Sequence, residues 1–143
     1  MAAVGVYQLV FSSSATMYGN PGTTPIRESL PTGQSTNPYG RSKLMVEQIL
    51  QDLAASDSRW AIGLLRYFNP VGAHKNGLIG KGLNGIPNNL VPYISQVAVG
   101  KLTQLSIYSG DYSTADGTGI RGYINVVDLA KGRRAKLPKI KVW

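Results

Sequence analysis

Asn37-Pro38-Tyr39-Gly40-Arg41-Ser42-Lys43 lies downstream of the strand-like Leu9-Val10-Phe11 and its Ser12-Ser13-Ser14. These two stretches decide how the chain is read. Asn37 suits a helix N-cap and Pro38 the first helical position, so the helix that follows carries Tyr39 and Lys43 four residues apart on one face. A phenol and an ammonium then stand side by side. A tyrosine serves as general base at neutral pH only if its ordinary pKa of about 10 falls by roughly three units, which takes about 4 kcal/mol of preferential phenolate stabilisation. A lysine at roughly 6 Å in an effective dielectric near 20 supplies about 2.8 kcal/mol, or about two units. The remainder needs a second positive source: the helix N-terminus gives part of it, and an oxidised nicotinamide ring beside the phenol the rest. Tyr-x-x-x-Lys therefore points to hydride chemistry, although the spacing alone leaves open a packed Tyr39 and a solvated Lys43.

The flanking sequence alternates strand and helix. Residues 5 to 11 are a short apolar run suited to a buried parallel strand, a helix runs from 38 to about 55, and residues 61 to 67 are the next apolar strand. On that helix Met45, Ile49 and Leu53, with Val46 and Leu50, are expected to form the buried stripe, while Asp52 and Asp57 stay in water. After Pro70 a glycine-rich loop leads to a helix over about 89 to 99, with Pro92 tolerated in its first turn and Gly100 as its stop. Strands near 105 to 108 and 123 to 127 follow, and Asp128 is placed to cap a last helix. The pattern is α/β, part of a doubly wound, Rossmann-like parallel sheet.

Composition narrows the function classes. The chain has 143 residues, 43% of them hydrophobic, and no cysteine, which excludes a disulfide framework and a thiolate metal site. No metal is expected. No apolar run approaches a membrane span, and the opening Met1-Ala2-Ala3-Val4-Gly5 does not read as a signal peptide, so a cytoplasmic location is the expectation. The net charge of +8 is unevenly spread. Lys131, Arg133, Arg134, Lys136, Lys139 and Lys141 sit in an acid-free tail, whereas the preceding residues carry nine basic and seven acidic side chains. A nucleic-acid surface with interleaved aromatics is therefore not expected.

Gly80-Lys81-Gly82-Leu83-Asn84-Gly85 is a literal G-x-G-x-x-G. The residues ahead of it, His74-Lys75-Asn76-Gly77, are loop-like, Ile86-Pro87 cannot open the required helix, and no βαβ unit surrounds it, so it reads as a surface loop and not a dinucleotide site.

Five blocks occur in order: Phe11-Ser12-Ser13-Ser14-Ala15-Thr16-Met17-Tyr18-Gly19, Asn37-Pro38-Tyr39-Gly40-Arg41-Ser42-Lys43, Leu65-Arg66-Tyr67-Phe68-Asn69-Pro70-Val71-Gly72-Ala73-His74, Gly85-Ile86-Pro87-Asn88-Asn89-Leu90 and Asp116-Gly117-Thr118-Gly119-Ile120-Arg121. Together they closely resemble the UDP-glucose 4-epimerases of the extended short-chain dehydrogenase/reductase family, over roughly residues 10 to 130 and in the middle of that enzyme only. The resemblance implies that residues 1 to 75 are the later part of an NAD-binding domain whose first βαβ units and pyrophosphate loop lie upstream of Met1. Residues 76 to 130 would be part of a nucleotide-sugar-binding region, and 131 to 143 an atypical basic tail.

The same resemblance implies the roles. Tyr39 would be the base that takes the proton of the sugar 4-hydroxyl, Lys43 would lower its pKa and bond the nicotinamide ribose, and Ser14 would bond the same hydroxyl. Hydride would leave carbon 4 for NAD, and the 4-keto sugar would turn over and receive it on its other face, interconverting UDP-glucose and UDP-galactose. Phe68 would lie near the nicotinamide. Ala15, Thr16, Asn69, Asn89, Leu90, Ser106, Ile107, Tyr108 and Arg121 would hold the UDP-sugar, with Arg121 suited to a bidentate phosphate contact. Ala15 and Thr16 stand where a dehydratase of the superfamily carries Asp and Glu, which argues against elimination chemistry. Gly122 and Asn125 replace a usual aspartate and histidine, and Lys81-Gly82-Leu83 an acidic stretch. A full-length relative is expected to be a homodimer, with no nucleic acid or membrane partner. Three other readings stay open: a non-catalytic degraded fragment, an interaction module using the basic tail, and another NAD-dependent nucleotide-sugar epimerase.

Overall fold

The structure is a computed structural model that describes residues 1–80 and 85–136. At its centre β1 (Gln8–Ser14) and β2 (Ala61–Tyr67) run parallel in a two-stranded sheet, with Gln8 opposite Ala61 and Ser14 opposite Tyr67. β1 starts at Gln8 and not at residue 5, because the 3₁₀ turn Ala2–Val4 is closed by Gly5 in a left-handed conformation (φ 71°). It also runs past Phe11 through all three serines, since the ladder with β2 continues to Tyr67 and backbone pairing, not apolarity, sets its end.

Ser14 caps a 3₁₀ turn, Ala15–Tyr18. A loop then leads to α1 (Pro38–Ser56), which begins as its sequence predicts: Asn37 Oδ1 accepts a hydrogen bond from the Gly40 amide at 2.8 Å, and Pro38 sits in the first turn. α1 packs on β1, β2 and the 3₁₀ turn, which completes a βαβ unit. Its buried stripe differs from expectation. Glu47 and Leu50 are buried and Lys43, Val46 and Leu53 half-buried, whereas Met45 and Ile49 are 60% and 63% exposed. Glu47 is drawn to the sheet by Arg66 of β2; at 3.6 residues per turn, positions two before and two after it then fall on the far side of the helix. Asp52 is exposed as expected, but Asp57 is half-buried under a bidentate Arg59 at the α1–β2 turn.

A second parallel pair joins β3 (Asn69–Val71) to β4 (Tyr123–Asn125). Asn69-Pro70 thus opens a short strand. Between them α2 (Leu90–Ala98) has Asn89 as its N-cap, Pro92 in its first turn and Gly100 just beyond it at φ 74°. Residues 105 to 108 form no strand, because no neighbour supplies a ladder among the described residues; Ile107 and Tyr108 are 75% and 87% exposed. β4 ends at Asn125 and not near 127, and α3 (Val126–Lys136) starts before Asp128: the Asn125 Oδ1 accepts from the Val127 amide at 2.9 Å and takes the capping role, with Asp128 in the first turn. The deepest apolar side chains, Met17, Tyr18, Leu50, Trp60 and Ala61, gather around the βαβ unit. Residues 81–84 of the G-x-G-x-x-G stretch and 137–143 of the tail lie outside the described residues.

Candidate active site

The C-terminal end of β1, the 3₁₀ turn after it and the first turns of α1 converge. Lys43 Nζ donates to the Ser12 carbonyl at 2.9 Å and lies 5.0 Å from the Phe11 ring centroid and 5.6 Å from that of Tyr39. Among the described residues no carboxylate pairs with it. Its charge is held by a carbonyl and two aromatic faces, so it stays available to an anion that forms beside it. Tyr39 is 56% exposed, and its ring is open to an incoming ligand.

Gly40 lets this convergence happen. It is buried, and an added Cβ would collide with Ser35 Oγ and stand 3.1 Å from the Thr16 carbonyl, so only glycine lets the start of α1 approach the turn this closely. Across that contact Ser14 is 8% exposed, and its Oγ accepts from the Thr16 amide at 3.3 Å and the Thr16 hydroxyl at 2.9 Å. Ala15 is half-buried and Thr16 exposed. Ser13 Oγ and Tyr67 Oη are buried with no hydrogen-bond partner among the described residues. Both residues belong to the C-terminal ends of the paired strands, the end at which an α/β sheet receives its ligand.

The β3–β4 pair brings in three more expected residues. Phe68 is 42% exposed and its ring lies against Gly122, where an added Cβ would stand 3.4 Å from it, an ordinary contact. Asn69 donates from its amide and its Nδ2 to the Gly122 carbonyl, at 3.2 and 3.4 Å. Arg121 next to it is exposed, with Nη1 bonded to the Ile120 carbonyl. Asn89, Leu90, Ser106, Ile107 and Tyr108 are exposed, and among the described residues no hydrogen bond joins them to the Tyr39 group.

Sequence reasoning missed Arg66, Glu47 and Tyr18. Arg66 binds the Glu47 carboxylate and the Tyr18 hydroxyl; the Glu47 carboxylate raises its pKa well above the ordinary guanidinium value. The signal was a charged residue inside the apolar run 61 to 67, with an acid one helical turn beyond Lys43.

Comparison with known proteins places the chain in a family. The UDP-glucose 4-epimerase of Neisseria meningitidis serogroup A is 61% identical over 137 residues, covering 96% of this chain and 40% of the relative. That of Mus musculus is 57% identical over 141 residues, covering 99% and 41%. The crystal structure of UDP-glucose 4-epimerase from Bifidobacterium longum in complex with NAD+ and UDP superposes with a TM-score of 0.92 at 56% identity, over 99% of this chain and 42% of that one. A UDP-glucose 4-epimerase from Stenotrophomonas with bound NAD and formylated UDP-arabinopyranose gives 0.91 at 51%, over 96% and 41%. The chain thus spans about 40% of the length of the curated relatives it matches. With residues 1–141 matching that family, the chain belongs to the NAD dependent epimerase/dehydratase family.

Proposed function

We propose that this chain carries the catalytic groups and part of the nucleotide-sugar site of a UDP-glucose 4-epimerase, an NAD-dependent isomerase that interconverts UDP-glucose and UDP-galactose. The observation that carries the reading is the placement of Lys43 Nζ, 5.6 Å from the Tyr39 ring centroid and bonded to the β1 backbone at Ser12, two residues before Ser14. Tyr39 Oη takes the proton of the sugar 4-hydroxyl and later returns it. Lys43 stabilises the phenolate while that proton is held. Ser14 Oγ bonds the same hydroxyl and sets its distance from Tyr39.

The residues fit the nicotinamide half of the cofactor: two aromatic rings, Tyr39 and Phe68, are exposed, and among the described residues the Lys43 ammonium pairs with no carboxylate. When bound, NAD supplies the hydride acceptor and donor, with no net redox change. Asn69, Asn89, Leu90, Ser106, Ile107, Tyr108 and Arg121 hold the UDP-sugar, Arg121 at a phosphate. Ala15 and Thr16 leave no acid to expel a sugar hydroxyl, which favours epimerisation over dehydration. The exposed Met45 and Ile49 of α1 support a homodimer of the full-length enzyme. A cytoplasmic setting and a place in galactose metabolism belong to the same reading. Among the described residues no helix is long and apolar enough to cross a membrane.

The test is a chimera in which residues 1–143 replace the matching segment of the Bacillus subtilis UDP-glucose 4-epimerase, a relative 61% identical over 140 residues. Interconversion of the two UDP-hexoses is expected. Formation of a 4-keto-6-deoxy sugar would overturn the proposal.

A further inference from the structure

Glu47 and Tyr18 are buried, Arg66 is half-buried, and the three form a polar cluster apart from the residues proposed to touch substrate. Arg66 Nη2 donates to Glu47 Oε2 at 2.7 Å, its Nε lies 3.1 Å from each carboxylate oxygen, and its Nη1 donates to Tyr18 Oη at 2.7 Å. The guanidinium also lies 5.2 Å from the Tyr18 ring centroid. The Glu47 side chain is 1% exposed and that of Arg66 20%.

Each partner belongs to a segment that bears a proposed catalytic group. Glu47 lies on α1, one turn beyond Lys43 and two beyond Tyr39. Tyr18 ends the 3₁₀ turn that Ser14 caps. Arg66 stands on β2 opposite Ser13, inside the parallel ladder. One guanidinium therefore ties the helix and the turn to the same strand.

Stability alone does not explain such a cluster. Burying two charges costs about what their attraction returns, and an apolar pair of the same volume generally holds two elements as firmly. A planar fork adds orientation instead: two bonds to one carboxylate and a third to a phenol are lost together if α1 turns about its axis or the 3₁₀ turn slides.

We infer that Arg66, with Glu47 and Tyr18, is a positioning device that sets Ser14 against Tyr39 and Lys43. The roles of those three residues rest on the epimerase reading; the geometric claim does not. The test uses the chimera with Arg66→Met plus Glu47→Leu, and separately with Tyr18→Phe. It reads the melting temperature, amide exchange at Gly40 and Thr16, and kcat and KM. The double variant is expected to melt with the parent, to exchange the Gly40 and Thr16 amides about tenfold faster while Val10 and Leu64 are unchanged, and to lose about tenfold in kcat at constant KM. Tyr18→Phe is expected to loosen Thr16 and leave Gly40 alone. Unchanged exchange at both amides would overturn the inference, as would a double variant that fails to fold, which would make the cluster a stability element. A parent chimera without turnover in which the exchange effects still occur would sink the epimerase reading and uphold this one.

Discussion

Lys43 Nζ donates to the Ser12 carbonyl at 2.9 Å, two residues before Ser14, so the ammonium that faces Tyr39 is anchored to the strand that delivers the serine. On the proposed epimerase reading, a cation fixed this way would act as a static charge beside the phenol and need no reorganisation during proton transfer.

In the chimera Tyr39→Phe should lower kcat by about 10² to 10⁴ while KM changes little, because the ring remains and only the proton acceptor is removed. Lys43→Met should lower kcat as well and also free the Ser12 carbonyl from its partner. Steady-state assay of both variants checks this. An unchanged kcat in Tyr39→Phe rejects Tyr39 as the base.

Gly40→Ala offers a test of packing against propensity. Alanine is favoured over glycine in a helix by about 1 kcal/mol. Here the new methyl would meet Ser35 Oγ and the Thr16 carbonyl, and overpacking of this kind costs about 1 to 3 kcal/mol. A net loss of stability, with weaker activity because α1 is pushed from the turn, is expected. Gly22→Ala is the control: nothing lies within 4 Å of its added Cβ. Equal urea midpoints for the two variants would contradict the close approach.

Stability should fall in acid, with a predictable sign. Hydrogen bonds from the Arg59 side chain and amide hold the Asp57 carboxyl below the usual range, and bonds from the Thr118 amide and hydroxyl do the same for Asp116. A carboxylate whose folded pKa is depressed stabilises the fold above its unfolded value of about 3.9, and that share is lost as pH falls through the lower folded value. Both groups are accessible to water, so each share is small and screened by salt. Arg66, with its pKa raised, stays charged in both states and adds no slope in the accessible range. Urea midpoints of the chimera measured from pH 6 down to about 2.5 should decline, and Asp57→Asn should flatten part of the decline. A midpoint that rises on acidification would refute the assignment.

Local signals explain what was legible in the sequence. Asn37-Pro38 fixed the start of α1 because capping is a property of a few adjacent residues, and the apolar run 61 to 67 gave β2 for the same reason. Orientation was not legible. The period of Met45, Ile49 and Leu53 gives an amphipathic stripe, but the face that meets the sheet carries Glu47, paired with Arg66 nineteen positions away. The strand expected at 105 to 108 failed for a related reason: local residue preference shows that a segment can pair, not that a neighbour is beside it. The Tyr39–Lys43 pairing was legible because a spacing of four on a capped helix places two side chains on one face, and the structure brings Lys43 Nζ to 5.6 Å from the Tyr39 ring centroid; Ser14 was singled out only through the family resemblance. The Arg66 cluster was not found, because it acts through contacts distant in sequence.

The last prediction concerns residues 1–143 expressed alone, which should neither bind the dinucleotide tightly nor epimerise a UDP-sugar. Each sheet has two strands, so every strand presents an unpaired edge. The accessible surface is 10925 Å², against roughly 7,100 Å² for a compact monomer of 15.3 kDa. Met45, Ile49, Leu78, Ile79, Ile107 and Tyr108 contribute apolar side chains to that surface, and a chain so exposed should self-associate or stay loosely packed. None of the described helices opens on a glycine loop after a strand, which is the feature that anchors a pyrophosphate, and Tyr39, Lys43 and Phe68 reach only the nicotinamide half. Light scattering and titration calorimetry on the purified chain decide the matter. Oligomers, or a dye-binding loose monomer, with no heat of NAD binding are expected; a monodisperse monomer that binds NAD at micromolar concentration would show that these residues already hold a complete phosphate site.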